Sequence, residues 1–341
     1  MYKFKSLIET QFLLWLLIAA SIRLLLVFSV KPITDAYYVT TESAFCLLSL
    51  KNPYNYTFTT VPPELMTIGG ESIFAYLPFV AIFSIPFYIF GDIRYGLIFS
   101  DLLIGCGIYL INLRNNRRGA LVASLIYLFL PLTIGWTTWT GVNTNIGVAF
   151  IMLSLVFLQK EDEIKAGIFF GLSLATTQFS LILFPFIFIY SIQKGLKKFA
   201  FYSIALEGLI VIPFLLYDVN GFINDILLFN LTRKTNPIFY MSSFPYAEFN
   251  LSLNGILSTF FGVTIPLTIR IIMLLPALFL LAKNCTNFNR TIVSSLIFST
   301  LFLFILLNNF LINYLILLLP LILIADLDIS RIDIGKKLTK S

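Results

Sequence analysis

The 341-residue chain contains no histidine, and charged residues make up only 12% of it, against about 25% in a typical soluble domain. The absence of histidine excludes a Ser-His-Asp triad, a His-ligated zinc site, an H-E-x-x-H protease and haem with a histidine ligand. Cys46, Cys106 and Cys285 have no C-x-x-C spacing, so they indicate packing rather than metal or redox chemistry. Any chemistry must therefore use carboxylates, Lys, Arg, Tyr, amides or the backbone.

Apolar side chains are abundant instead: they make up 58% of the sequence, with 36 Phe. A soluble core cannot bury that much apolar surface, so the composition predicts an all-α polytopic membrane protein. A helix needs roughly 17–25 apolar residues to cross a bilayer. Eight segments are good candidates: 7–30, 93–113, 119–138, 141–158, 198–217, 264–282, 291–308 and the shorter 310–324.

Two further apolar segments decide the topology. Segment 165–193 is too long for one crossing and is interrupted by the polar run 176–180, which predicts two short helices. Segment 72–90 contains Pro78 and Pro86, and is predicted to dip into the membrane without crossing it. This arrangement places sixteen of the 23 basic residues inside and four outside, whereas a crossing 72–90 with one helix at 165–193 gives about twelve against nine.

The prediction is therefore about ten crossings in one integral membrane domain, 1–341, with both termini in the cytoplasm. The outer loops are 31–71 and 218–250, and positive-inside sorting alone makes such loops acidic.

Among the outer acids, Asp35 directly follows the first span. Thr34 is placed to cap an amphipathic helix running to about Leu50, with Glu42 seven residues after Asp35 on the same face. Its apolar residues Ala44, Phe45, Leu47 and Leu48 suit the membrane surface. The two carboxylates fit a general base with a metal or substrate ligand. The alternative is that Asp35 merely complements a helix N-terminus.

Ionisable residues inside spans are costly and indicate function by default. Arg23 lies deep enough to predict a buried partner, either a carboxylate or a phosphate. Arg94 and Asp101 share a helix face, and Arg270 lies in the outer half of its span. For Arg23, Arg94 and Arg270 alike the alternative is snorkelling to the outer headgroups.

Several short motifs occur in a telling order. Arg23 late in the first helix is followed by Asp35, Tyr37-Tyr38 and Asn52-Pro53-Tyr54. Later come Ala75-Tyr76-Leu77-Pro78-Phe79, the run A-G-I-F-F-G-L-S at 166–173, and Asn313-Tyr314 with Pro320. This pattern resembles the GT-C superfamily of polytopic glycosyltransferases, especially the polyprenyl-phosphate-mannose-dependent mannosyltransferases.

The chain departs from that pattern at three places. Gln178 stands where the family commonly has a Lys, and Leu50-Lys51 stands where a Gly usually precedes the N-P-Y motif. No second acid lies two residues from Asp35, so a D-x-D metal motif is absent. We predict no metal ligands and assign no cofactor, while participation of a divalent cation is left open.

The resemblance implies an inverting hexosyltransferase that moves a sugar, mannose by analogy, from a polyprenyl- or dolichyl-phosphate donor to a lipid-linked or protein acceptor. It implies a site on the non-cytoplasmic face of the plasma membrane or ER, and no nucleic-acid partner. Asp35 would be the base, supported by Glu42. The predicted substrate-binding residues are Arg23, Tyr38, Tyr54, Glu71, Tyr76, Gln178, Arg233 and Lys234. Among these, Arg23, Arg233 and Lys234 would hold the donor phosphate.

Two other classes stay open. A lipid or solute transporter or flippase would have the same composition, although the inverted repeats typical of transporters are not visible. A non-catalytic membrane assembly subunit would also fit, because the commonly present Lys and Gly are replaced.

Overall fold

The computed structural model describes residues 2–65, 73–114, 116–229, 239–243, 246–249, 252–306 and 315–325. The α-helices are α1 Tyr2–Ser29, α2 Asp35–Leu48, α3 Phe79–Ile89, α4 Arg94–Asn112, α5 Arg117–Phe129, α6 Pro131–Gly135, α7 Thr144–Gln159, α8 Glu163–Leu174, α9 Gln178–Gln193, α10 Lys197–Tyr217, α11 Val219–Ile223, α12 Leu253–Phe261, α13 Leu267–Lys283, α14 Phe288–Ile305 and α15 Leu315–Ile324. Single turns of 3₁₀-helix lie at Pro53–Asn55 and Pro63–Leu65, and π-helical turns at Trp136–Thr140 and Asn224–Leu228. Strands β1, Phe239–Ser243, and β2, Tyr246–Phe249, pair in antiparallel fashion.

The helical class is confirmed in the described parts of the chain. Among the described residues, four helices are long and apolar enough to cross a membrane: Glu9–Ser29, Arg94–Asn112, Lys197–Tyr217 and Phe288–Ile305. The bent pair Arg117–Phe129 and Pro131–Thr140 makes a fifth if it counts as one span. The protein is thus compatible with a polytopic membrane protein, and the number of ten crossings stays a prediction.

The predicted span 119–138 is broken rather than straight. Its two halves meet at 46°, because Leu130 before Pro131 has an extended conformation (ψ 124°) that a helix does not continue through. The second half ends in the π-helical turn Trp136–Thr140, closed by Gly141 at φ 64°. A Cβ at Gly141 would lie 3.0 Å from the Tyr37 side chain, so this glycine lets the turn approach α2.

The interruption predicted within 165–193 is confirmed. Helix α8 ends at Leu174 and α9 begins at Gln178. The Thr177 hydroxyl accepts a hydrogen bond from the Phe179 N–H (3.3 Å), which starts the second helix. The polar turn therefore separates two short helices.

Segment 73–90 is irregular up to Pro78, with a bend at Tyr76, and then forms α3, an 11-residue helix. At 1.5 Å per residue α3 is about 16 Å long, well short of a ~30 Å hydrocarbon core. The prediction that Pro86 breaks the helix is wrong: it lies inside α3. One proline removes only one backbone donor, and its own carbonyl accepts from the Phe90 N–H at 3.1 Å.

Contacts between helix ends sort those ends into two sets. On one side, Arg94 at the start of α4 donates to the Val30 carbonyl after α1 and to the Thr138 carbonyl. On the other, Asn112 at the end of α4 donates to the Leu323 carbonyl, and the Lys198 N–H donates to Glu163. These contacts match the predicted alternation, in which the first set is the outer side.

A hydrophobic cluster packs the predicted first outer loop against the helix bundle. It joins Val39 of α2, Tyr54, Phe74, Ile146 of α7 and Phe222 of α11. The predicted amphipathic helix is thus confirmed as a helix, but one of its faces packs against protein. Its half-exposed apolar residues are Phe45 and Leu48, whereas Ala44 is fully buried, contrary to the prediction.

Candidate functional site

The candidate site begins at the first residue of α2. Asp35 is partly buried, and its Oδ1 accepts a hydrogen bond from the Ala36 N–H (2.8 Å). The prediction that the Thr34 side chain caps this helix is wrong. Its hydroxyl donates instead to the Thr140 carbonyl at 2.5 Å, because the end of the π-helical turn offers an acceptor there. Through Thr34, the residue before it, Asp35 is therefore held close to the end of the broken span 119–138.

The guanidinium of Arg94 ties together the elements around that point. It donates to the carbonyls of Val27 (3.0 Å), Val30 (2.8 Å) and Thr138 (2.9 Å). Its charge is matched by Asp92 at 2.7 Å, and Arg94 is buried. The snorkelling interpretation of Arg94 is therefore wrong, and the linker before Asp35 is fixed on both sides.

Two tyrosine rings lie beside the same linker. The Arg94 guanidinium lies 5.6 Å from the centroid of the Tyr37 ring, which packs edge-on against Tyr38 at 5.2 Å. Burial, and next the Asp92 carboxylate, raise the pKa of Tyr37 to about 12, so its hydroxyl stays protonated. The Tyr38 hydroxyl donates to the Pro32 carbonyl (3.3 Å). Its predicted binding of substrate stays a prediction.

Glu42 is occupied by the loop that follows α2. Its carboxylate accepts from the N–H and hydroxyl groups of both Thr59 and Thr60, at 2.8–3.2 Å. Burial acts to raise the pKa of Glu42, but these donors together outweigh it and hold the pKa below its usual 4.5. A buried carboxylate held ionised by four donor groups is a poor proton acceptor. The geometry therefore assigns Glu42 to loop anchoring, and its predicted catalytic role is not supported.

Replacing Glu42 by Gln is expected to destabilise the fold by about 2–4 kcal/mol. The NH₂ group of Gln is itself a donor, so it cannot accept from the N–H and hydroxyl groups of Thr59 and Thr60. Since the folded-state pKa is lowered, this stabilisation is full above pH 4.5 and lost as the pH falls through the folded pKa. Thermal unfolding of both proteins at pH 7 and below pH 4 measures the effect, with exposed Glu161→Gln as the control. Equal unfolding temperatures at pH 7 would contradict the anchoring role.

Segment 73–79 contains one predicted substrate-binding residue, Tyr76, and is contacted by two others, Tyr54 and Gln178. The buried Tyr54 hydroxyl donates to the Tyr76 carbonyl (2.7 Å), and burial, with a smaller contribution from Asp225, holds the pKa of Tyr54 well above its usual range. Gln178 donates to the Ala75 carbonyl (3.2 Å). The structure brings Tyr54, Tyr76 and Gln178 together through protein contacts, so substrate binding by them stays a prediction.

Arg23 has a carboxylate partner, the first of the two alternatives that its depth allowed. Its Nε donates to Asp101 Oδ2 (3.0 Å), and its Nη1 to the Leu128 carbonyl (2.8 Å). Arg23 is fully buried and Asp101 nearly so. These contacts point to a structural ion pair and give no support to phosphate binding by Arg23. Glu71, Arg233 and Lys234 lie outside the described residues.

Asp225 is a buried acid. The positive-inside rule alone accounts for an acid in the predicted outer loop 218–250, but not for its burial. It lies in the π-helical turn after α11, where burial, and further Asp218, raise its pKa to about 7. Asp218 caps the same short helix by accepting from the Gly221 N–H (2.9 Å). The sequence signal for this burial was the apolar run Ile226–Phe229 that directly follows the acid. The predicted second outer loop therefore contains a buried acid whose pKa is raised by its surroundings.

Within the described residues no three His, Cys, Asp or Glu side chains form a group that could hold a metal ion.

No protein-family model matches the sequence. The chain is 28% identical over 151 residues to GPI mannosyltransferase 1 of Saccharomyces cerevisiae (strain ATCC 204508 / S288c). The alignment covers 43% of this chain and about a third, 34%, of that protein. Together with the apolar helices, this distant similarity supports a membrane mannosyltransferase in general terms.

Proposed function

We propose that the chain is a multi-pass membrane glycosyltransferase that moves mannose from a polyprenyl-phosphate donor to a lipid-linked or protein acceptor. The observation that carries the proposal is Asp35, a partly buried carboxylate at the start of α2 beside elements tied by Arg94. The similarity to a mannosyltransferase supports the reaction class. The site would face the non-cytoplasmic side of the plasma membrane or ER.

In the proposed reaction Asp35 takes the proton of the acceptor hydroxyl. The hydroxyl oxygen then forms a bond to the anomeric carbon of the donor, and the bond from that carbon to the phosphate oxygen breaks. The polyprenyl phosphate leaves with the electron pair, and the anomeric configuration inverts. General-base catalysis is efficient when the base is held in position, which the ties around residues 30–35 provide.

Negative charge develops on the leaving phosphate, so cations near it would lower the barrier. Arg233 and Lys234 of the second outer loop remain proposed phosphate partners, and Glu71 a proposed contact to the sugar or acceptor. Arg23 is not needed for this proposal, because Asp101 already matches its charge.

The test is a transfer assay with the full-length protein in proteoliposomes. Radiolabelled polyprenyl-phosphate mannose is supplied together with a membrane extract as acceptor. We expect label to move from the donor into an extracted lipid or protein product. Movement of unchanged donor across the bilayer without a product would instead identify a flippase. Donor that is neither moved nor consumed would support an assembly subunit.

A further inference from the structure

Arg270 is a buried arginine near the start of α13. It is only 3% exposed and shares a helix face with buried Leu274. The other side of α13, with Ile272 and Leu275, is exposed and suits contact with lipid. Arg270 therefore lies inside the bundle at its lipid-facing edge, and the snorkelling interpretation does not describe it.

Its hydrogen bonding is incomplete. Nη1 donates to the Leu306 carbonyl at the end of α14, but the buried Nε has no hydrogen-bond partner. Of the other two buried arginines in the described segments, Arg23 also has an unpartnered nitrogen, Nη2, but both Arg23 and Arg94 pair with an aspartate at 2.7–3.0 Å. No acidic side chain among the described residues pairs with Arg270.

The adjacent helix, α14, carries two further buried polar groups. The hydroxyls of Ser295 and Ser299 have no partner in the described structure. Spacings of eleven and seven residues place them on one face of α14 with Leu306, whose carbonyl Arg270 contacts. These two hydroxyls, each able to donate or accept, are further unpaired polar groups on the face of α14 that carries Leu306.

A buried cation without a counter-ion is costly, in a membrane protein especially. An anion that binds in the working protein removes that cost. Arg270 lies three residues from the start of α13, about 4–5 Å along its axis, and Lys283 lies about 20 Å farther along. In the predicted topology this is the outer end, the depth at which a lipid phosphate lies.

We propose that Arg270 binds the phosphate group of a phosphorylated lipid at the outer edge of α13 and α14. The chain of the lipid would run along the exposed side of α13. If the proposed function is right, on which this identification of the ligand rests, that phosphate belongs to the polyprenyl-phosphate donor and is the leaving group. A planar guanidinium can hold two phosphate oxygens at once, whereas an ammonium holds them as a point charge.

The experiment measures binding of a short-chain fluorescent polyprenyl phosphate to purified full-length protein in nanodiscs of neutral lipid. We expect Arg270→Met to weaken binding about 10- to 100-fold, since it removes charge-assisted hydrogen bonds, and Arg270→Lys to weaken it less. Arg290→Met, which removes an exposed arginine at the other end of α14, is the control and is expected to bind as the wild type.

Three competitors identify the source of the phosphate. Polyprenol without phosphate should not compete. Competition by polyprenyl phosphate but not phosphatidic acid supports the donor, and equal competition supports a general site for lipid phosphates. Inorganic phosphate that competes as well as either lipid would overturn a lipid-linked ligand.

Stability separates binding from a structural role. Replacing an uncompensated buried charge by Met is expected to leave the unliganded unfolding temperature unchanged or raised. A lower unfolding temperature with unchanged binding would overturn the proposal, and so would wild-type binding by Arg270→Met. Asp35→Asn should bind the probe normally, so retained transfer in that variant would refute the base without affecting Arg270.

Discussion

Asp35→Asn is expected to lower the rate of sugar transfer by about 10²–10⁴-fold, the usual contribution of general-base catalysis. The amide has nearly the same shape but cannot take the proton of the acceptor hydroxyl. Asparagine can also accept from the Ala36 N–H, as Asp35 does, so α2 should keep its start. The measurement is the initial rate with radiolabelled polyprenyl-phosphate mannose at saturating donor.

The control for that experiment is Asp162→Asn, an isosteric change at the other end of the bundle. Asp162 caps α8 and pairs with Lys165 at the surface, so its replacement should leave the rate unchanged. Thermal stability should change little in either variant. A wild-type rate for Asp35→Asn would leave Asp35 with only the role of a residue at a helix N-terminus, and Glu71 would become the next base to test.

Asp101→Ala is expected to destabilise the protein by about 3–5 kcal/mol, because it leaves the Arg23 charge buried without a counter-ion. Besides the ion pair at 3.0 Å, Asp101 accepts from the Tyr127 hydroxyl (3.0 Å), the Asn145 amide (3.1 Å) and the Thr137 hydroxyl. All of these donors would lose their acceptor at once. The loss of folded protein on heating, followed by size-exclusion chromatography, measures the effect.

A second variant distinguishes the charge from the packing. Arg23→Met combined with Asp101→Leu should recover the part of the lost stability that comes from the unpaired Arg23 charge, since apolar side chains often replace a buried ion pair without cost. The donors of Tyr127, Asn145 and Thr137 still lose Asp101 as acceptor, so the recovery should be partial. Asp162→Ala removes an exposed ion pair and a helix cap and is expected to cost less than Asp101→Ala, because both groups stay in water. If Asp101→Ala were no worse than Asp162→Ala, the network would not stabilise the bundle.

The positions of the helices could be predicted because apolar runs of known length are a local property. The break between α8 and α9 followed from the polar residues at 176–180, and the position of α2 from the amphipathic pattern after Thr34. The bend before Pro131 was not predicted, although the conformational restriction that proline places on Leu130 is also local.

The partners of the polar side chains could not be predicted in the same way. Glu42 shares a helix face with Asp35 by spacing, yet its donors come from Thr59 and Thr60 in an irregular loop. The Thr34 hydroxyl had a local acceptor role available and instead donates to a carbonyl 106 residues away. Such pairings depend on tertiary approach, which periodicity does not encode.

The pairing of Arg23 with Asp101 also constrains how the chain enters the membrane. The two residues are 78 positions apart, so at about 5–20 residues per second Arg23 is synthesised roughly 4–16 seconds before its counter-ion. Inserting an isolated arginine at the centre of a helix into the membrane costs about 2.5–3.5 kcal/mol, whereas each leucine makes insertion more favourable by about 0.3–0.6 kcal/mol. Seven leucines flank Arg23 in α1 and offset this cost: Leu13, Leu14, Leu16, Leu17, Leu24, Leu25 and Leu26. The first helix can therefore insert before α4, which carries Asp101, has been synthesised.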